Sequence, residues 1–531
     1  MNNIIWNSNS NMPRSQQKGS SNNICRIFVD PNIQPKIKLD DLFVSDNNNE
    51  YASNKDGVGI SYPVIAINNY IITSEEIDYM EIACENLLPS IFLQITTTSE
   101  NLLFKDPPKD GDIISVFIRT TTDVITPLRC DFIIKNNNKS EKIKTTVPAT
   151  NTMILNGVLF VPGILSEAKS FAAIGTSIDV IKKIATKLKL GFATNEQDML
   201  NDTQLWINPK NSLKNFINEI TQHSWLDEQN FYKTWIDIYY NLNFINVNKM
   251  LMSSDDEVDI TAFSSIQDVQ KIYPINTGEE ASKAIPKIFT NVFNDMRSSP
   301  FYVMEWVPYN QSSKITEKYG STIITHEFFH NQNLYNSKTE PFITLNNTQM
   351  YDPNKIDTHI LLRGRASYDP NIADINEMAH ENINTDDINT HTTWSGIQYV
   401  MSEEDATSND NLTWSGNVHK NYNRAKIHNL LNNKELDKMY ITITVAGPCL
   451  QVMRGEKVPV ILNYSPGITQ QTINNSTGIN KLYSGMYFVD SYKIIYKHQT
   501  GKSGDAGFSA FNTEFTLKRR EWPIPVDAQK E

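Results

Sequence analysis

Cysteine is scarce and unpatterned in this chain of 531 residues: Cys25, Cys84, Cys130 and Cys449 form no CxxC pair and no regular spacing. That excludes a disulfide framework and a zinc knuckle and leaves buried thiols as the expectation. Long apolar runs are missing too. No stretch approaches the roughly 20 residues that span a bilayer, and the opening MNNIIWNSNSNMPRSQQKGSSNN has neither the basic start nor the apolar run of a signal peptide. No membrane insertion is expected, and synthesis in a cytoplasm is. Positive charge is also in short supply, with 48 Lys and Arg against 60 Asp and Glu and a formal net charge of -12. This argues against a nucleic-acid binder, which needs a concentrated surplus of cations to hold phosphates. Charged residues make up 20% of the chain, low for a globular protein, and Asn, Ser and Thr take their place. That bias suits a β-rich structural protein with many turns.

What is present is enough to fold. A hydrophobic fraction of 39% with 10% aromatics excludes global disorder, and the length calls for several domains, about three or four. The fold class expected is mainly β with α+β insertions. Residues 1–23, rich in Asn, Ser and Gln, read as a flexible arm. From 24 to 165, β-branched runs such as YPVIAINNYII, SIFLQITTT, DIISVFIRT and CDFIIK are punctuated by PPKDG and KNNNKS turns, which reads as a first β-barrel. Residues 166–255 read as a small α+β module. Residues 256–362 read as a mixed β/α section that contributes strands to a second barrel, with FYVMEWVPY, STIITHEFF and THILL as strands and an interrupted helix around Pro286. Residues 363–420 are an insertion dense in Asn, Asp and Thr, in which TWSG occurs at Thr393–Gly396 and again at Thr413–Gly416, a match too short to be a structural repeat. Residues 421–531 open with a short helix in RAKIHNLLNNKELDKM and complete the second barrel with MYITITV, KVPVIL, MYFVDSYKIIY and FNTEFTLKRR.

The module is the most legible part. Ser177 reads as an N-cap before Ile178, Ile181, Ile184, Ala185 and Leu188, which share one helical face, and Gly191 reads as the stop. Leu213, Phe216, Ile217 and Ile220 form a second apolar face, and Ser224 with Asp227 three residues on marks a further helix start. In WIDIYYNLNF, Ile236, Ile238 and Tyr240 alternate with Asp237 and Tyr239 as in a half-buried strand. Trp206, Trp225 and Trp235 are expected in the core of this module.

One motif carries chemistry in principle. His326-Glu327-Phe328-Phe329-His330 matches the zinc peptidase pattern, in which two histidines bind the metal and the glutamate is the general base. It works only on a helix; on a strand the histidines stand about 13 Å apart. Ser321 to Thr325 are β-prone, so a strand is favoured, and no third ligand stands out, with Glu340 next to Pro341 and with Glu377 and Glu381 in an Asn-rich stretch. Thr500-Gly501-Lys502-Ser503 imitates a phosphate loop, but the earlier glycine is Tyr496. No cofactor and no metal are expected, and a zinc peptidase remains the alternative reading.

The segments GTSIDVIKKIATKLKLGFATN, DTQLWINP and NFINEITQHSWLDEQNFYKTWIDIYYNLNFINVNK, followed by NYNRAKIHNLLNNKELDKMYITITVAGPCLQVMRGEKVPVIL, GMYFVDSYKIIYKH and FNTEFTLKRREWP, resemble in order and register the baseplate hub proteins of contractile-tailed bacteriophages. The resemblance implies two tail-tube-like barrels joined to a small helix-rich module, and a non-enzymatic homotrimer that adapts the sixfold tail tube to the threefold central spike. It also implies contacts with a tail-tube or tube-initiator protein, a spike protein and baseplate wedge proteins. DNA would pass through the channel without being held, and the location would be the tail baseplate of a virion assembled in a host cytoplasm. In such a hub Arg519, Arg520 and Trp522 would anchor a subunit contact; as plain packing, Trp522 would cover a barrel end with the arginines in solvent.

Overall fold

A computed structural model describes residues 28–29, 63–68, 70–98, 106–118, 128–140, 150–166, 170–196, 198–227, 230–252, 288–291, 301–310, 321–328, 335–342, 392–398, 418–419, 421–436, 439–450, 452–463, 480, 483–499 and 508–519. The arm over 1–23, Cys25, Pro286, the THILL segment, the second TWSG and Thr500 to Ser503 lie outside the described residues, as do Arg520 and Trp522.

The chain is mainly β. Its first section holds β1 (Phe28–Val29), β2 (Val64–Ile67), β3 (Tyr70–Ile72), β4 (Ile77–Cys84), β5 (Ser90–Thr98), β6 (Ile113–Ile118), β7 (Leu128–Ser140) and β8 (Thr150–Leu159). The module follows with β9 (Phe171–Gly175), α1 (Ser177–Leu188), β10 (Gly191–Thr194), β11 (Gln204–Asn208), α2 (Leu213–Gln222), β12 (Tyr232–Ile236), β13 (Asn241–Asn246) and α3 (Val247–Met252). Beyond it come β14 (Phe289–Thr290), β15 (Val303–Asn310), β16 (Ser321–Phe328), β17 (Tyr335–Phe342), β18 (Thr392–Gln398), α4 (Tyr422–Leu436), β19 (Met439–Ala446), β20 (Lys457–Ile461), β21 (Gly485–Gln499) and β22 (Phe508–Lys518).

Several local expectations are corrected. Thr176, not Ser177, caps α1: its hydroxyl accepts the Asp179 N–H while the Asp179 carboxylate accepts the Thr176 N–H, a reciprocal capping box. Ser177 is instead the first helical residue. The helix ends at left-handed Lys189 (φ 58°), and Gly191 already belongs to β10. No helix starts at Ser224, whose hydroxyl turns back to the Ile220 carbonyl and closes α2. The alternation from Ile236 to Tyr240 is not one strand, because the Asp237 carboxylate accepts the N–H groups of Tyr239 and Asn241 and folds the chain into a hairpin between β12 and β13. KNNNKS is no turn: Lys135 to Ser140 continue β7 against β8, since ladder pairing outweighs the turn preference of asparagine. The Asn-rich insertion holds at least one strand, β18, which lies parallel to β16.

Thirteen strands form one curled sheet with the neighbour order β15-β19-β22-β21-β4-β5-β8-β7-β6-β2-β3, with β20 beside β21 and β14 beside β20. All pairs are antiparallel except β14 with β20. The two β sections therefore share a sheet, and they meet where β21 pairs with β4.

One arrangement occurs twice in it. The run β4-β5-β8-β7-β6 is matched strand for strand by β15-β19-β22-β21-β20. The irregularities coincide as well. The first strand of each run is bulged, between Ile77 and Tyr79 and between Val303 and Glu305. The fourth is bulged at Lys135 and at Asp490, each skipped in the pairing with the third strand. A bulge kinks its strand and breaks the ladder locally, and at Asp490 it marks a change of partner: β21 pairs with β20 up to Phe488 and with β4 from Tyr492 onward. The turn entering the fifth strand is also repeated, as Lys109-Asp110-Gly111-Asp112 and Met453-Arg454-Gly455-Glu456. In each copy the acidic side chain accepts the N–H three residues before it.

The inner face of the sheet and the module share a continuous core. From α1 it takes Val180, Ile181, Ile184, Ala185 and Leu188, and from α2 Leu213, Phe216, Ile217 and Ile220. Trp206, Trp225 and Trp235 are all buried. Cys84, Cys130 and Cys449 are buried thiols, and burial pushes Cys84 up to about 12, which keeps it protonated and unreactive.

Candidate functional site: the seam between the two runs

Across the seam Tyr492 faces Cys84, Ile494 faces Ile82 and Tyr496 faces Met80 on the buried side, while Lys493, Ile495 and Lys497 face Ala83, Glu81 and Tyr79 on the other. Strand alternation alone produces this division. The half-exposed side is polar, and its charges are internally matched. Lys493 lies 3.1 Å from Glu85 and 3.5 Å from Glu81, and Glu81 also accepts the Tyr79 hydroxyl at 2.6 Å. Lys497 stands 5.7 Å from the centre of the Tyr79 ring. Burial works to lower Lys493, but Glu85 and Glu81 outweigh it and hold the amine above its ordinary value. Asp78 accepts the Thr96 hydroxyl at 2.5 Å. The neighbouring strands add Thr442 and Thr444 on one flank and Gln94 and Asn156 on the other, all half-exposed. Lysines tied to carboxylates and to a ring are poorly placed to grip phosphates.

The buried side is held by a wedge. The hairpin turn from Asp237 to Tyr240 enters between the runs: the Ile236 N–H reaches the Leu87 carbonyl at 2.7 Å, and the Tyr240 hydroxyl accepts the Asp131 N–H at 3.1 Å. On the other side the Tyr239 hydroxyl donates to the Leu450 carbonyl at 3.4 Å. Tyr240 is fully buried and left-handed (φ 62°), a conformation uncommon for a bulky residue and one that Asp237 imposes.

Beside the wedge lies an ionic centre. Asp490, the bulged residue of β21, takes Lys233 of β12 on one oxygen and Lys518 at the end of β22 on the other, each at 2.5 Å. Arg454 lies near, donating to the Asn86 carbonyl at 2.8 Å with its guanidinium over Trp235. Burial would raise Asp490, but Lys233, Lys518 and Arg454 together hold it below the carboxylate range. The module, the C-terminal run and the β4–β5 loop are thus tied at one point.

α4 closes the module from outside. His223, at the end of α2, stacks on Tyr422 with ring centres 3.7 Å apart and donates from Nδ1 to the Tyr422 carbonyl at 2.7 Å. His419 donates from Nε2 to the His223 carbonyl at 3.0 Å. Burial lowers His223 to about 3 and His419 to about 4, so both rings are neutral. Asn429 accepts the Tyr232 N–H and donates to the Ser224 carbonyl, both at 2.9 Å. Asp202, buried under α1, accepts from the Ser177 hydroxyl and from the N–H groups of Ser177 and Trp225; burial raises it to about 6 against those bonds.

Of the residues singled out by sequence, Arg519 is described and is not in solvent: it is buried, donates to the Ser484 carbonyl at 3.1 Å and lies 5.1 Å from the Tyr487 ring centre. His326 and Glu327 lie in β16, as favoured from the β-prone residues before them, while His330 is outside the described residues. Among the described residues no group of three or more His, Cys, Asp or Glu side chains is placed to hold a metal ion. A cavity of ≈ 260 Å³ lined by Glu81, Phe92, Lys135 and Asn156 falls below the roughly 300 Å³ at which small-molecule sites begin. Asp490 and Lys233 were not singled out from sequence, and Asp237 only as an alternating strand residue; the local sign of each is a charged residue inside an otherwise apolar strand or turn.

No family model matches the chain, and no curated protein does. Among solved structures it is similar to a tail protein from Neisseria meningitidis (12% identity over 86% of this chain and 96% of that one, TM-score 0.39). It is also similar to a prophage 43 kDa tail protein from Shewanella oneidensis (9%, 86% and 98%, TM-score 0.40) and to a Francisella PdpA–VgrG complex (11%, 88% and 60%, TM-score 0.35).

Proposed function

We propose that the chain is the structural hub of a contractile phage tail baseplate, a homotrimeric adapter between a sixfold tail tube and a threefold central spike. The observation that carries the reading is the doubled strand run. Three subunits can meet a ring of six only if each offers two like surfaces, and β4-β5-β8-β7-β6 and β15-β19-β22-β21-β20 are two such surfaces in one chain. Their strand directions repeat without inversion across the β21–β4 seam, as successive members of a ring require. The sequence resemblance of the module and of the C-terminal section supports the same assignment. The internally paired lysines on the seam's half-exposed face suit a passage for DNA that does not hold it. A tube or tube-initiator protein would bind one side of the ring and a spike protein the other, with wedge proteins around it. On this reading the protein performs no catalytic step, and His326 and Glu327 are strand residues.

Light scattering tests the stoichiometry: the expected mass is three times the chain's 60.6 kDa, and a stable monomer or dimer contradicts the hub. Zinc retained after dialysis, together with peptidase activity abolished by Glu327→Gln, would favour the peptidase instead.

A further inference from the structure

We infer that a row of half-exposed residues across the first strand run is a docking surface for a segment of a separate protein, one that carries a carboxylate beside an aromatic side chain. The inference goes beyond the hub reading and does not rest on it. It comes from laying the two runs over each other residue by residue. Directly opposed residues on neighbouring strands share a face, and in the first run Ala83, Ser90, Val158, Ile133 and Ile113 stand in one such row from β4 to β6. In the second run Tyr309, Tyr440, Lys518, Phe488 and Lys457 stand in the matching row from β15 to β20. The bulge in the first strand, the bulge at Lys135 and Asp490, and the turn at Gly111 and Gly455 each give this same correspondence.

The second row is covered. Phe488, Lys518 and Lys457 are buried under the module and α4: Phe488 clusters with Met250 and Leu436, Lys457 donates to the Leu251 carbonyl at 2.9 Å, and Lys233 reaches the bulge residue Asp490 at 2.5 Å. The remaining end of that row is filled by its own side chains, since the Tyr309 and Tyr440 rings stack with centres 4.6 Å apart.

The first row has neither cover nor filling among the described residues. All its members are half-exposed, and Lys135, which stands where Asp490 does, is exposed. Ala83 and Ser90 replace the two tyrosines and leave the hollow of ≈ 260 Å³, which Glu81, Phe92, Asn156 and Lys135 also line. The chemistry of the occupant follows from the comparison. An aromatic ring fits the space that tyrosines take in the other copy, and rings seated in such pockets anchor interfaces. The bulge residue changes sign from Asp490 to Lys135, so the group that meets it changes from a cation to a carboxylate. Glu81 is already tied to Lys493 at 3.5 Å and to the Tyr79 hydroxyl at 2.6 Å, whereas Lys135 makes no ion pair among the described residues.

The test uses the full chain with two blocked dipeptides, N-acetyl aspartyl-tyrosine amide and N-acetyl asparaginyl-tyrosine amide, and reads binding by magnetisation transfer from protein to peptide protons. The acidic peptide is expected to bind, and the neutral one to bind about fivefold more weakly, the worth of one partly exposed ion pair. Lys135→Glu should weaken the acidic peptide about tenfold, because attraction becomes repulsion. Ser90→Tyr supplies the ring that the second run carries at Tyr440 and should abolish binding of both peptides. Lys135 is exposed, so its variant decides the matter even where Ser90→Tyr does not fold. Equal binding by the wild type and both variants, or none by the wild type, overturns the inference. Binding that emerges only when the assembled particle is taken apart shows a second copy on this face and overturns the separate partner. None of these outcomes alters the mass read by light scattering, so the hub reading stands or falls by itself.

Discussion

Gly111 and Gly455 occupy the same point in two copies of one turn. Each is left-handed, at φ 94° and 85°, and each gives its N–H to the residue just before a bulge, the carbonyl of Ile134 or of Val489. Alanine at either position is expected to cost about 1–2 kcal/mol, the penalty for a Cβ in that conformation. At Gly111 the cost is backbone strain alone, because a Cβ there meets nothing within 4 Å. Urea unfolding of Gly111→Ala and Gly455→Ala checks it, and wild-type stability in both would contradict the shared geometry.

Asp490 is the counter-charge for two largely buried lysines. Asp490→Asn keeps the shape but removes the carboxylate that both Lys233 and Lys518 contact, which is expected to cost about 3–5 kcal/mol. Lys233→Met added to Asp490→Asn should recover part of that loss, since it removes one uncompensated cation. Thermal melts of the three proteins give the comparison.

Tyr240→Phe removes only the hydroxyl that accepts the buried Asp131 N–H. The expected cost is about 1–3 kcal/mol, that of an unsatisfied buried donor. Faster exchange of the Asp131 amide would locate the effect at the wedge rather than in general packing.

The module should show two opposed pH responses. Asp202 is raised by burial to about 6, so its contribution is full below the unfolded value near 4 and is lost as pH rises through 6. Wild type should therefore lose about 2–3 kcal/mol relative to Asp202→Asn between pH 4 and pH 7. His223 and His419 are lowered by burial to about 3 and 4. Their contribution is full above the ordinary histidine value and is lost as pH falls toward 3, so amides of α4 should exchange faster there in wild type than in His223→Gln. Melting curves across pH with both variants separate the two groups.

The module and the individual strands were legible because their signals are local: the helical spacing of Ile181, Ile184 and Leu188, the alternation in MYITITV, and the turn glycine in PPKDG. Errors fell where a side chain bonded further away than its neighbours suggest. Ser177 left the capping role to Thr176 and turned to Asp202, and Asp237 broke an apparent strand by capping a turn. Two barrels were expected, but the strand-for-strand match of the two runs was not legible, because its copies share geometry and hardly any sequence: KDGD against MRGE, and Lys135 against Asp490 at the same bulge. Such likeness lies in register, which depends on strands far apart in the chain. The seam has the same origin, since Tyr492 and Cys84 meet only once both sections have folded.

Electron microscopy of the purified assembly tests the central claim most directly. The account gives a threefold ring whose rim carries six lobes of nearly equal size and spacing, two from each chain. A ring in which each chain supplies a single lobe, or a field of lone subunits at concentrations well above those used for light scattering, would contradict it.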